Sequence, residues 1–156
     1  VRNAGQVIGE SIVASLEYAV AVQGVPLNVV LAHDSCGAVR AAIDGTAIDA
    51  APLPPHIWKL VAPIVPAARK VLAENGGTSP ADIDADQVGR EHLRNTVRDV
   101  LQSSELISAA VAEGRLGIVG ANYRLAEGTA IPAITVGIET ENDTVGITPE
   151  SKEGTA

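Results

Sequence analysis

Leu27-Asn-Val-Val-Leu-Ala-His-Asp-Ser-Cys-Gly-Ala-Val-Arg-Ala-Ala-Ile43 combines an apolar run, a short polar turn and a helix-like stretch in direct succession. The uninterrupted run over 27–32 is typical of a buried parallel strand. A strand followed by a helix places the turn between them at the carboxyl edge of a sheet, where open α/β proteins build their sites. The stretch therefore predicts an α/β fold with functional residues in this turn.

The turn carries an imidazole, His33, and the only thiol of the chain, Cys36. Cys36 would stand at a helix N-terminus, whose partial positive charge favours the thiolate, the form that ligates zinc. Two interpretations remain beside a zinc site. The spacing alone is more typical of a half-buried structural pair than of a ligand set, and Cys36 could also be a nucleophile with His33 as its base.

Three segments, in order, resemble the β-class carbonic anhydrases: Val1-Arg-Asn-Ala-Gly5, Ser15-Leu-Glu-Tyr-Ala-Val20, and residues 26–39 with His33-x-x-Cys36-Gly37. The similarity continues more loosely through residues 114–125. It implies reversible hydration of carbon dioxide to bicarbonate and a proton, with Zn²⁺ as cofactor and zinc-bound hydroxide as nucleophile. The resemblance makes His33 and Cys36 metal ligands, and it lets Gly37 offer its backbone N–H to substrate.

Five further residues are expected to shape this site. Asp34 and Ser35 lie inside the motif and could hydrogen-bond to the ligands, although a solvated turn is the simpler interpretation. Arg2, Asn3 and Gly5 match a family segment near the site, where they are expected to shape the turn after a strand.

The main departure from the family is a missing motif. There, an upstream Cys-x-Asp-x-Arg provides a second Cys ligand and an Asp–Arg pair, whereas this sequence has one Cys, no Met and begins with Val1. No residue of this chain is therefore assigned as catalytic. We expect the C-terminal portion of a longer enzyme, with a sheet incomplete at the N-terminus and weak zinc binding by this chain alone. The alternative is a catalytically inactive binding or assembly module.

The missing central strand would leave apolar faces and an unpaired edge beside residues 27–32. The family resemblance also implies a homodimer or a larger homo-oligomer, and a second copy or a separate fragment could complete the edge.

Composition predicts an aliphatic core, since 46% of residues are apolar and only 2% aromatic. We expect one α/β domain over 1–140, with a mostly parallel sheet flanked by helices, and an acidic flexible tail over 141–156. A net charge of −8 argues against nucleic acid and anionic membranes as partners. One Cys, with neither a spanning segment nor a signal peptide, favours a cytoplasmic location.

Periodicity predicts helices over 10–22, 56–74 and 89–113, the second one kinked or divided at its prolines, a strand over 117–121 and a hairpin over 123–138. His56 and His92 are expected on solvated surfaces, and Glu17 in a structural pair. The spacing Gly114-x-x-Gly117-x-x-Gly120 does not indicate a nucleotide loop, because it crosses a helix end and a strand.

Overall fold

The computed structural model describes residues 1–138, so the predicted tail over 141–156 and the end of the predicted domain lie outside the described residues. The helices are α1 (Glu10–Ala21), α2 (Gly37–Asp44), α3 (Pro55–Val61), α4 (Val65–Glu74), α5 (Ala85–Ser103) and α6 (Glu105–Ala112). The strands are β1 (Leu27–His33), β2 (Gly117–Arg124) and β3 (Thr129–Val136). Short 3-10 turns cover Ala4–Gln6, Ala62–Ile64 and Pro80–Asp82.

The described strands form one sheet in the order β1-β2-β3. β1 and β2 run parallel, from Leu27 opposite Gly117 to His33 opposite Tyr123, whereas β2 and β3 form an antiparallel hairpin. Helices flank this sheet, and α5 packs against both β1 and β2. The predicted α/β class is confirmed. Among the described strands, β1 and β2 are the two that pair in parallel.

β1 is an edge strand within residues 1–138, as expected from the missing motif. The apolar run alone indicated a buried strand, but one face of β1 is exposed, as expected from the missing central strand. Leu27, Val29 and Leu31 are 44%, 56% and 50% exposed, while Asn28 and Ala32 are buried. Alternate side chains of a strand point to opposite faces, and α5 packs against β1, so one face is covered.

The core is aliphatic, as the composition predicts. One cluster of Val, Ile and Ala side chains joins α2, α3 and α4, and a second joins α1, α5, α6 and β2. No helix within residues 1–138 combines the length and the apolar character needed to cross a membrane.

The helix predicted over 56–74 is divided, as its prolines suggested. α3 ends at Val61, a 3-10 turn containing Pro63 follows, and Pro66 lies in the first turn of α4. Proline is tolerated there because the first N–H groups of a helix have no intrahelical partner.

The single helix predicted over 89–113 is wrong, because the chain breaks at Ser104. Its backbone is extended (φ −143°, ψ 111°), and its hydroxyl caps α6 by accepting from the Ile107 N–H at 3.1 Å. The same hydroxyl donates to Glu17 Oε1 at 2.6 Å. Glu17 therefore makes a structural pair.

The hairpin begins earlier than predicted. The strand expected over 117–121 and the first arm of the hairpin are the same strand, β2, and the turn covers residues 125–128.

His92 was expected on a solvated face, and this prediction is wrong: the side chain is 2% exposed. Its Nε2 donates to the carbonyl of Gly5 at 2.7 Å, because a carbonyl oxygen can only accept. The charged neighbours on α5 flank this position, but His92 shares the inward face with Val88 and Thr96, one turn away on either side. Burial lowers the pKa of His92, opposed by the hydrogen bond to Gly5 and by the charge of Asp99.

We expect the free energy of unfolding to fall as pH drops below the ordinary histidine range. The unfolded chain takes up a proton near a pKa of about 6.5, whereas the lowered pKa of folded His92 delays protonation, so protons favour unfolding. His92→Gln should flatten the decline between about pH 7 and pH 5. Urea denaturation across this range measures it, with exposed His56→Gln as control. An unchanged slope in His92→Gln would contradict the assignment.

Candidate metal centre

The two predicted ligands flank one short turn. His33 is the last residue of β1 and is exposed, whereas Cys36 is half-buried and precedes the first residue of α2. The strand and the helix therefore position both side chains at the carboxyl edge of the sheet, as the sequence predicts.

The ring of His33 is oriented by a hydrogen bond between Nδ1 and the backbone carbonyl of Asp34, at 2.8 Å. Because the carbonyl can only accept, Nδ1 carries the proton in this arrangement. The lone pair of the neutral ring then lies on Nε2, and a metal binds imidazole through its lone pair. His33 thus has the tautomer required of a ligand, with Nε2 as the donor atom.

Cys36 occupies the N-cap position of α2, where its carbonyl accepts from the Arg40 N–H at 3.0 Å. Its thiol is free, and it packs beside the aliphatic core cluster of α2 and α4. Thiolate and imidazole are both donors that zinc prefers.

The described residues do not provide a complete set of metal ligands. Within residues 1–138 no three His, Cys, Asp or Glu side chains are grouped so that they could hold a metal ion. Zinc sites use three or four protein ligands. The pair His33 and Cys36 therefore fits zinc in chemical kind and would supply only part of a ligand set.

Asp34 is attached to the end of β2. Its backbone N–H donates to Tyr123 O at 3.1 Å, its carboxylate accepts from the Leu125 N–H at 3.2 Å, and Arg124 Nε lies 3.6 Å from Oδ2. Ser35 is exposed, with a left-handed backbone (φ 53°) that is uncommon for residues other than glycine. The backbone carbonyl of Asp34, rather than its side chain, contacts His33.

The other predicted site residues lie on both sides of the turn. Gly37 begins α2, and a Cβ built there would meet nothing within 4 Å. Asn3 closes the turn before α1, since its side chain bonds to both the N–H and the carbonyl of Val7. Gly5 is buried with φ 74°, close to Ile64 and Ala38, and Arg2 is exposed.

A groove of about 730 Å³ begins beside His33 and includes Arg2, Asn3 and Gly5 in its wall. Five consecutive residues of β1, 29–33, line it, so it runs along the edge of this strand that has no partner strand among the described residues. Most of its other wall residues are aliphatic side chains from α1, α5 and the segment before α1. The groove thus joins the end of β1 that carries His33 to the segment that resembles the family's Arg-Asn-Ala-Gly.

Sequence reasoning missed Arg124. It ends β2, the parallel neighbour of the strand that ends at His33. Parallel neighbours bring their carboxyl ends to one edge of a sheet, so a charged residue closing a second apolar strand is the signal that could have indicated it.

A family model described as carbonic anhydrase matches residues 1–130 of this chain. Carbonic anhydrase 2 of Mycobacterium tuberculosis is 40% identical over 132 residues, and a carbonic anhydrase of Mycolicibacterium smegmatis is 38% identical over 129. The chain belongs to the β-carbonic anhydrase family. The matches cover 84% and 82% of this chain but only 60% and 59% of those relatives, so the chain spans about three fifths of their length.

Solved structures of the family share this fold. The β-carbonic anhydrase CafA of Aspergillus fumigatus superposes with a TM-score of 0.71 at 21% identity, covering 91% of this chain and 65% of that one. One of two β-carbonic anhydrases of Sordaria macrospora, described as tetrameric, superposes at 0.68 with 18% identity, covering 85% of this chain and 66% of that one.

Proposed function

We propose that this chain supplies two zinc ligands, His33 and Cys36, of an enzyme that reversibly hydrates carbon dioxide to bicarbonate and a proton. One observation carries the proposal: the bond from His33 Nδ1 to Asp34 O leaves Nε2 as a donor in the same short turn as Cys36, in a chain of the β-carbonic anhydrase family. The two side chains are held by a strand end and a helix start, the rigid elements of the fold.

The residues of this chain have separate roles in the proposed site. Zinc, when bound, supplies the Lewis acidity that makes water nucleophilic at neutral pH. His33 would hold it through Nε2 and Cys36 through Sγ as thiolate. The N–H of Gly37, at the start of α2, would orient a substrate oxygen, because the first N–H groups of a helix have no intrahelical partner.

We further propose that another polypeptide segment pairs with the free edge of β1 and brings the remaining donors. Three observations support this: β1 has one strand partner in residues 1–138, the groove follows its other edge, and the described residues provide only two donors. An exposed row of backbone N–H and C=O groups is a template for an added strand.

A homo-oligomer is proposed as the functional state. The exposed face of Leu27, Val29 and Leu31 supports this proposal, since apolar patches on a sheet mark protein contacts. The tetrameric description of the Sordaria macrospora enzymes, which share the fold, also supports it.

A second candidate function is an inactive binding or assembly module. The incomplete ligand set of the described residues favours it. The two candidates differ in what happens when the missing donors are supplied, because only an enzyme gains activity.

Stopped-flow measurement of carbon dioxide hydration with added zinc distinguishes them. We compare this chain, a form extended at its N-terminus by a segment carrying the family's Cys-x-Asp-x-Arg motif, and Cys36→Ser in that extended form. We expect background rates from the chain alone, hydration by the extended form, and loss of it in Cys36→Ser. Sedimentation velocity on the same samples reports the oligomer. A folded, zinc-loaded extended form without activity would favour the inactive module.

A further inference from the structure

We propose that Arg124 is a positioning residue for His33: acting through Asp34, it holds the imidazole in the tautomer that presents Nε2. The inference rests on the proposed role of His33 as a metal ligand. The inference concerns the contact between Arg124, at the end of β2 where the β2–β3 turn starts, and Asp34, in the turn between His33 and Cys36. The identity of the two proposed ligands does not by itself imply this contact.

The first step of the argument is the position of one carbonyl. His33 keeps its proton on Nδ1 because Asp34 O lies 2.8 Å away. Neutral imidazole in water otherwise favours the proton on Nε2, which would occupy the donor position needed by a metal. The tautomer of His33 therefore depends on where the backbone of Asp34 is held.

The second step is what holds Asp34. Within residues 1–138, its other polar partners are consecutive residues at the end of β2: the carbonyl of Tyr123, the guanidinium of Arg124 and the N–H of Leu125. The side chain of Asp34 is only 16% exposed, which strengthens its interaction with a cation. The left-handed Ser35 that follows is a conformation local preference does not favour, so the turn depends on these contacts.

The third step concerns Arg124 itself. Its Nη1 lies 3.2 Å from Asp86 Oδ2 in the first turn of α5, and its Nε lies 3.8 Å from Glu127 Oε1 in the hairpin turn. One guanidinium thus balances three carboxylates, including that of Asp34. Without it, these carboxylates repel one another, and Asp34 is held at the end of β2 only by its bonds to Tyr123 and Leu125.

Nitrogen-15 NMR of the imidazole rings tests this in the zinc-free chain at alkaline pH. Wild-type His33 should show a protonated Nδ1 and an unprotonated Nε2. Arg124→Gln should raise the ratio of the Nε2–H to the Nδ1–H form by about fivefold, and Arg124→Lys should raise it less. The matched control is Arg115→Gln, which removes a surface pair with Glu113 and should change nothing.

His92 is an internal reference for folding, because its Nε2 donates to Gly5 in the folded chain. If Arg124→Gln loses the His92 signature, the same measurement is made on Asp34→Asn. This variant removes the carboxylate charge that Arg124 contacts and retains an acceptor for the Leu125 N–H. An unchanged His33 tautomer in the folded variant, or an Nε2–H form in the wild type, would overturn the inference. A correct tautomer with no zinc-induced shift at His33 Nε2 in the extended form would instead reject the proposed metal site.

Discussion

Replacing Cys36 by serine in the extended form is expected to lower zinc affinity by more than about 100-fold. A serine hydroxyl stays protonated at neutral pH and cannot replace a thiolate ligand. Loss of groups that merely support zinc ligands costs about 10–100-fold, so loss of a ligand should cost more. Competition with a chromophoric chelator measures the affinity, and the thiolate-to-cobalt absorption of the Co²⁺ form should disappear.

Ser35→Ala is the matched control, because Ser35 adjoins Cys36 and is exposed. Its zinc affinity should stay within about twofold of the wild type. Equal affinities for Cys36→Ser and the wild type would exclude Cys36 as a ligand. Activity that survives zinc removal but not Cys36→Ser would instead identify Cys36 as a nucleophile, with His33 as base.

Gly5→Ala is expected to destabilise the chain by about 3 kcal/mol, from left-handed strain of about 1–2 kcal/mol and overpacking of about 1–3 kcal/mol. The backbone of Gly5 has φ 74°, and an added Cβ would lie 2.8 Å from Ile64 Cδ1 and 3.3 Å from Ala38 Cβ. The carbonyl that receives the His92 bond would be displaced. Urea denaturation measures the loss in free energy of unfolding.

Gly24→Ala separates the two causes. Gly24 has a similar φ of 67°, but a Cβ there would meet nothing within 4 Å. Strain alone should therefore cost about 1 kcal/mol. Equal losses in Gly5→Ala and Gly24→Ala would show that contact with Ile64 contributes nothing.

The features that could be predicted depend on neighbours in sequence. The apolar run, polar turn and helix over 27–43 indicated the fold class and the positions of His33 and Cys36 because each signal is local. The division of the helix at Pro63 and Pro66 was predictable for the same reason. The unpaired edge of β1 followed from the family resemblance.

The features that could not be predicted depend on distant partners. The apolar spacing on either side of Ser104 continues as one helix, but the hydroxyl of Ser104 meets Glu17, 87 residues away. His92 has charged neighbours on α5, yet its burial follows from the carbonyl of Gly5, also 87 residues away. The role of Arg124 depends on the register that places Tyr123 opposite His33, which no local pattern encodes.

Within residues 1–138, β1 has one edge without a partner strand and ends in His33, so the proposed strand pairing and the proposed metal loading would be thermodynamically coupled. A segment that orders β1 and adds donors raises the affinity for zinc. By linkage, zinc raises the affinity of the chain for that segment by the same factor. Under this proposal, zinc availability would set how much of the chain is assembled, and a chelator would act as a dissociating agent without touching the interface.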